Sequence, residues 1–333
     1  MSKPAEFNWS DEIPYGVAEL KKDAATRYST RSANSLLRGE EVECCIQGCE
    51  ELLPRRKQKQ KPYFCPRHAI SVSTMPTYIY EDAKRNFIIG RDIPNRLSKA
   101  EHWRLGNERS EDALSWNVFV SLYVLGGLTE AVKLLTGRDT AKEPELHLWG
   151  NRIDAHCVRW EPLLDVRHVL ENGLAIKTEP DVILRIPGQA IVLIEAKFGS
   201  ENGRLAKSEE RFGSVTKFLA RYRCKNGAAD PLNRKWISEQ PSKSVMEQLC
   251  RNVIFAHWLA SEEEQPFVIN LVRRDAANEE QLFREHLSES GVAFHVRRWE
   301  DVFALPVVQT EQASTLRTYV KNKTLKLSPA FHF

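Results

Sequence analysis

Apolar positions recur along this chain at two spacings, and each change of spacing marks an element. From Ser110 to about Gly126, Leu114, Val118, Leu122 and Leu125 return at every third or fourth position, the period of one helix face, and Asn107 or Ser110 can cap the start. A second helix is predicted over Thr129–Leu135, closed by Gly137. Short strand-like runs follow at Leu146–Trp149 and Ile153–Trp160. Two clear strands, Val182–Ile186 and Ile191–Ala196, are joined by Pro187-Gly188-Gln189. The pattern then predicts a helix over Ser244–Ala260, a strand at Phe267–Val272, a helix at Glu279–Ser288 and a strand at Val292–Arg297. Helices alternating with strands give an α/β class, a mixed sheet flanked by helices.

Before residue 107 the regularity is weaker. Residues 1–40 are polar, with one predicted helix around Val17–Tyr28. Residues 41–75 hold a cysteine cluster, and 76–106 connect it, punctuated by Pro76 and Pro94, to a larger domain over 107–333 with a basic tail. The chain of 333 residues is 42% hydrophobic, enough for a packed core and against wholesale disorder. No run approaches the roughly 18–20 apolar residues that cross a bilayer, and the first residues lack a basic-then-apolar leader. The expectation is a cytoplasmic protein with no membrane partner.

A net charge of +3 names no partner, but local charge is uneven. Arg55, Arg56, Lys57, Lys59 and Lys61 fall within seven residues that carry no acid. A second basic stretch holds Lys217, Arg221, Arg223 and Lys225, and a third holds Arg317, Lys321, Lys323 and Lys326. Such runs suit a polyanion, and equally a solvated helix face.

Four cysteines of seven lie in one short window. Cys44, Cys49, Cys65 and His68 give the spacing C-x4-C-x15-C-x2-H. Two close pairs separated by a loop are what tetrahedral zinc needs, with thiolate and imidazole as its preferred ligands. Gly48 allows a tight turn before Cys49. Cys45 could replace Cys44, because both precede the same turn. Four protein ligands imply a structural Zn²⁺ site. The pattern resembles the small knuckle-type zinc modules appended to DNA-acting proteins. Arg55–Lys61 would sit in the loop between the ligand pairs, placed for phosphates.

The strand pair carries the other chemistry. With a three-residue loop at Pro187–Gln189, Ile186 faces Ala190, and opposed residue numbers sum to 376. Asp181 then lies across from Glu195. Glu195 and Lys197 share a face, because strand side chains alternate. Opposed like charges destabilise a sheet, so a compensating cation is expected, and Mg²⁺ prefers carboxylate oxygens and substrate phosphates.

Pro180-Asp181, followed on the next strand by Glu195-Ala196-Lys197, resembles the signature of the PD-(D/E)XK nuclease superfamily. The resemblance covers roughly residues 105–303 and implies a restriction-endonuclease-like fold. It also implies Asp181 and Glu195 as ligands of catalytic Mg²⁺ (Mn²⁺ substituting), with the Ala196 carbonyl as a further ligand. Lys197 would act on the attacking water. Members often carry an acid on an upstream helix, a place that Glu111 fits as catalytic residue and ligand, with Glu161 or Asp165 as alternatives. A helix glutamine after the hairpin is matched by Gln248. The ordinary roles would be a helix-dipole charge for Glu111 and a surface amide for Gln248. The implied activity is a Mg²⁺-dependent DNA endonuclease acting on double-stranded DNA in restriction, phage defence or mobile-element processing, with a homodimer as its assembly. The alternatives are cleavage of RNA or of branched or single-stranded DNA, and a zinc-containing DNA-binding protein that does not cleave.

Overall fold

The computed structural model describes residues 7–29, 41–57, 61, 63–73, 75–97, 104–174, 177–200, 202, 214–225, 227–241, 245–273, 279–289 and 291–333. The chain divides into two compact units, Met1–Leu125 with Val308–Phe333, and Gly126–Val307. The span 107–333 read from the sequence as one domain is thereby parted. Its first helix and its C-terminal segment group with the cysteine cluster.

In the first unit, β1 (Val42–Glu43) pairs antiparallel with β2 (Leu52–Leu53). Strands β3 (Tyr63–Cys65), β4 (Ile70–Val72) and β5 (Tyr78–Tyr80) form an antiparallel meander. Their short hydrophobic runs pack with Leu20, Tyr28 and the four clustered cysteines in one small core. The helix expected over Val17–Tyr28 is broken. A 3-10 turn at Val17–Glu19 is followed by helix over residues 24–29.

Helix α1 (Glu111–Leu125) matches its expected bounds closely, yet after its half-buried first two residues it has no solvent face for the next ten. Every residue from Ala113 to Leu122 is buried. Asn117 is buried there because its side chain serves backbone, accepting from Ile88 N (3.0 Å) and donating to Asn86 O (2.9 Å). The basic C-terminal segment is packed. It forms a helix (Ser314–Asn322) and a two-strand turn, Thr324–Leu325 with Ser328–Pro329.

In the second unit, α2 (Leu128–Thr136) ends at Gly137, whose φ of +75° gives the left-handed cap. Then come β6 (Glu145–Leu148), β7 (Asn151–Arg152), α3 (Glu161–Glu171), β8 (Val182–Ile186), β9 (Ala190–Ala196), α4 (Val215–Arg221), α5 (Arg234–Glu239), α6 (Glu247–Leu259), β10 (Gln265–Val272), α7 (Glu279–Arg284), β11 (Ala293–Arg298) and α8 (Trp299–Phe303). The strands form one six-stranded sheet in the order β11-β10-β9-β8-β6-β7. β11, β10 and β9 run parallel, and the remaining neighbours antiparallel. The class is therefore mixed α/β, as the sequence predicts.

Both faces of the central strands are buried, which explains the apolar runs VIL and AIVLI; Arg185, half-buried near the hairpin loop, pairs with Glu264 (3.0 Å). One face carries Ile183, Leu193 and Val268 in register and packs on Leu249, Val253 and Ile254 of α6. Each such aliphatic side chain contributes roughly 1.5–3 kcal/mol by burial. The strand expected over Ile153–Trp160 does not form. Asp154 Oδ1 instead accepts from His156 N (2.8 Å) and Cys157 N (3.1 Å), and this turn takes the backbone out of extended geometry. Among the described residues, no single helix is long and apolar enough to cross a membrane.

Candidate functional site

The β8–β9 hairpin has the predicted register. Val182 pairs with Ile194 and Ile186 with Ala190, and Gly188 supplies the positive φ (+74°) that the tight loop requires. One step beyond the last pair, Asp181 comes up against Glu195. The Asp181 carboxylate does not point away: its Oδ2 accepts from Ala196 N at 2.8 Å, which closes the open end of the hairpin. Glu195 and Lys197 share a face, with Lys197 Nζ 2.6 Å from Glu195 Oε1. Both are buried, at 5% and 8% exposure, whereas Asp181 is half-buried.

Helix α6 crosses this end of the sheet and supplies two amides. Gln248 Oε1 accepts from Lys197 Nζ (3.2 Å), so the predicted glutamine does meet the hairpin. One turn on, Asn252 Nδ2 donates to Glu195 Oε2 (2.8 Å). Asn252 is 1% exposed and was not foreseen, though its i+4 spacing from Gln248 could have pointed to it. Asn270 was also missed. It pairs with Glu195 across the parallel β9–β10 ladder and is fully buried. Asp181, Glu195 and Asn270 thus follow one another across three strands.

The backbone of Lys197 is clamped on both sides. Its N–H donates to Leu271 O (2.7 Å), and its carbonyl accepts from Trp299 Nε1 of α8 (3.1 Å). The ammonium therefore projects from a fixed main chain. Two carboxylates, an ammonium and two amides converge here, and half-buried Asp181 and Gln248 form the solvent side. The arrangement sets carboxylate oxygens beside one ammonium of opposite charge at this end of the buried sheet.

A buried network fixes the approach to Asp181. Glu171, fully buried, accepts from Thr178 N (2.6 Å), from the Thr178 hydroxyl and from Tyr222 Oη (2.6 Å). Arg251 of α6 donates to Thr178 Oγ1 (3.0 Å), and Arg167 Nε donates to Thr178 O (2.6 Å). Thr178 is thereby held by two helices, α3 and α6, three residues before Asp181. Burial pushes the Tyr222 hydroxyl up, so it stays a donor to Glu171.

Of the upstream acids, Glu161 and Asp165 are exposed on α3. Glu111 opens α1 in the other unit and is half-buried, as is Asp112 beside it. Because α1 is buried around its circumference from Ala113 to Leu122, an apolar face does not distinguish Glu111 from Asp112. Buried His147 packs on Trp160 (4.5 Å between rings), and burial lowers its pKa.

The second cluster is Cys44, Cys49, Cys65 and His68, whose ligand atoms all lie within 4.8 Å of one another. Cys49 and Cys65 sulfurs are 3.9 Å apart, and His68 Nδ1 lies 3.6 Å from Cys44 Sγ and 3.4 Å from Cys65 Sγ. Zinc–sulfur bonds of about 2.3 Å and zinc–nitrogen bonds of about 2.0 Å at tetrahedral angles require edges near 3.8 and 3.5 Å. The four could hold a metal ion such as zinc. Cys45 is buried but outside the quartet, so it is Cys44 that stands with Cys49, Cys65 and His68.

Local structure explains the quartet. Cys44 and Cys49 flank a knuckle in which Cys49 N bonds Ile46 O (3.2 Å) and Gly48 takes φ +70°. Cys65 ends β3 and His68 sits in the turn into β4, where Arg85 Nη1 donates to its carbonyl (2.7 Å). Burial pushes the Cys65 thiol up to about 12; the Cys45 thiol and burial also raise Cys44. Thiolates here call for a compensating cation, as a bound divalent metal would be. Burial lowers His68, keeping the imidazole neutral as ligation requires.

The basic loop is less free than its sequence suggests. Arg56 stacks on the Phe64 ring (3.6 Å to the centroid), and Lys61 pairs with Glu81 (3.6 Å). Arg55 and Lys57 are exposed, and Lys59 lies outside the described residues. In comparisons with known protein families, with curated proteins and with solved structures, the chain matches none.

Proposed function

We propose that the unit Gly126–Val307 is a Mg²⁺-dependent endonuclease that hydrolyses phosphodiester bonds in DNA. The observation that carries this reading is the meeting of Asp181, Glu195 and Lys197 at one end of a hairpin, with Gln248 on the lysine. Asp181 and Glu195 would hold the ion, and the Ala196 carbonyl is the third candidate ligand. Oxygen ligands of this kind fit Mg²⁺ or Mn²⁺. A divalent ion bound there would supply Lewis-acid activation of the attacking water and offset phosphate charge.

The chain's own residues do the rest. Lys197 directs positive charge at the oxygens of the reacting phosphate, where charge builds up. Gln248 orients the ammonium by accepting from it. Asn252 fixes the Glu195 carboxylate by donating to its second oxygen. Burial of Glu195 and Lys197 strengthens their mutual field relative to water. The zinc module, with exposed Arg55 and Lys57, would add phosphate contacts, and double-stranded cutting by a homodimer follows from the same reading.

The test is a cleavage panel on plasmid, single-stranded DNA and RNA, with Mg²⁺, Mn²⁺ or EDTA, comparing wild type with Asp181→Ala and Lys197→Ala. Metal-dependent cutting that both variants lose supports the reading, and the preferred substrate separates DNA from RNA. Binding of DNA without cutting by any form would favour a non-cleaving DNA-binding protein instead.

A further inference from the structure

The second basic stretch is not absorbed by the site described above, and the fold separates its members. Lys225 turns away: its Nζ donates to Ala260 O (3.1 Å). Lys217, Arg221 and Arg223 instead line a groove of ≈ 480 Å³ between the end of α3 and α4, together with the apolar side chains of Val169, Leu174 and Ala220. None of the residues lining this groove is acidic, and residues 214–229 contain no acid. Lys217 and Arg221 are four apart on α4 and so lie on one face.

The cations differ in their freedom. Lys217 and Arg223 are exposed, so their charge is available to a partner without stripping it from the protein interior. Arg221 is half-buried, and its Nη1 donates to Leu170 O (3.3 Å) and Asn172 O (3.1 Å), which sets the plane of the guanidinium. A guanidinium has five donors, so a fixed fork still presents N–H groups to a phosphate.

The groove also connects to the carboxylate hairpin. Glu171, next to the groove residue Leu170, holds Thr178, and Tyr222, next to Arg221, donates to the same Glu171. From Thr178 to Asp181 the chain spans at most about 11 Å.

We infer that the groove lined by Lys217, Arg221 and Arg223 binds the phosphate backbone of the nucleic acid whose cleavage is proposed for Asp181 and Glu195. The inference rests on that nuclease reading for its choice of polyanion. The groove acts as a positioning surface away from the reacting phosphate. Its cations neutralise backbone charge and read no base.

The full chain carrying Asp181→Ala, with magnesium omitted, is titrated with fluorescent double-stranded DNA, single-stranded DNA and RNA across a salt series. Lys217→Glu with Arg223→Glu is added, with Lys235→Glu on α5 as the charge control and thermal melting as the fold check. The double reversal is expected to weaken binding about tenfold or more near 0.1 M salt and to flatten the log–log salt slope by about 2, while the control changes little. Unchanged affinity and slope, or equal weakening by the control, overturns the groove. If wild type cuts and the double reversal binds normally, only the groove falls. If the double reversal weakens binding while wild type cuts nothing, the groove stands and the nuclease reading falls. Failure of the Asp181→Ala chain to bind any of the three overturns the groove as well.

Discussion

Asn252 Nδ2 donates to Glu195 Oε2 at 2.8 Å, while Lys197 Nζ sits 2.6 Å from the other oxygen of the same carboxylate. Glu195 is therefore held at both oxygens although it is 5% exposed. A buried carboxylate without such partners would cost several kcal/mol or take up a proton. The ammonium and the amide satisfy both oxygens and hold the carboxylate in one position.

Replacement of Asn252 by leucine removes one of these two partners and leaves Oε2 buried without it. Asn252→Leu is expected to lower stability by about 1–3 kcal/mol in urea unfolding and to reduce metal-dependent cleavage. A variant as stable and as active as wild type would show that this hydrogen bond carries neither role.

Glu171 accepts three hydrogen bonds inside the protein, two from Thr178 and one from Tyr222. Glu171→Ala strands three buried donors and is expected to destabilise by about 3 kcal/mol or more, whereas Tyr222→Phe removes one and costs about 1 kcal/mol. Denaturant titration of both checks the ranking; equal costs would contradict the three-to-one assignment.

The Cys44, Cys49, Cys65 and His68 quartet predicts about one zinc per chain as purified. Cys49→Ser should lose it, and Cys45→Ser should keep it, because Cys45 stands outside the quartet. The thiol pKa values are raised in the absence of metal, so protons compete with zinc and affinity falls as pH falls. Metal analysis after dialysis at pH 5 and pH 8 measures this; zinc retained equally at both would count against thiolate ligation.

Glu108, buried in the first unit, accepts from the Thr324 hydroxyl and from Leu327 N (3.2 Å), while its own N–H donates to Tyr78 O (3.2 Å), so it links the C-terminal turn to β5. Lys323, buried nearby, is pushed by burial down to about 8. Between about pH 8 and about 10.4 the unfolded chain binds a proton that the folded chain does not, so this lysine makes stability rise with pH across that window. Lys323→Met is expected to flatten that rise. Identical stability–pH curves for the two proteins between pH 8 and 10 would exclude a depressed lysine.

The parts that were legible in the sequence are those set by neighbours along the chain. The sum of 376 followed from a three-residue loop, and the ladder from Val182–Ile194 to Ile186–Ala190 obeys it. The spacing of the cysteines and histidine placed two ligand pairs on two turns, and the geometry brings all four together. Helix α6, β10 and β11 lay close to their predicted bounds because their apolar periods are strong. The strand expected over Ile153–Trp160 failed for a local reason of the opposite sign, since the Asp154 side chain offered the backbone a turn.

Chain-local rules therefore determined the hairpin, its opposed acids, the shared face of Glu195 and Lys197, and the ligand quartet. Only the tertiary structure decided which residues complete the site. Asn270 reaches Glu195 through a parallel ladder between strands distant in the chain, and the helix that carries Gln248 and Asn252 is brought to the hairpin only by packing. It also decided the fate of charge: Lys225 and Lys323 were drawn to a carbonyl and into a core, while Lys217 and Arg223 stayed at the surface. Packing makes such choices, because the cost of burying a charge depends on what surrounds it, and a linear sequence does not state its surroundings.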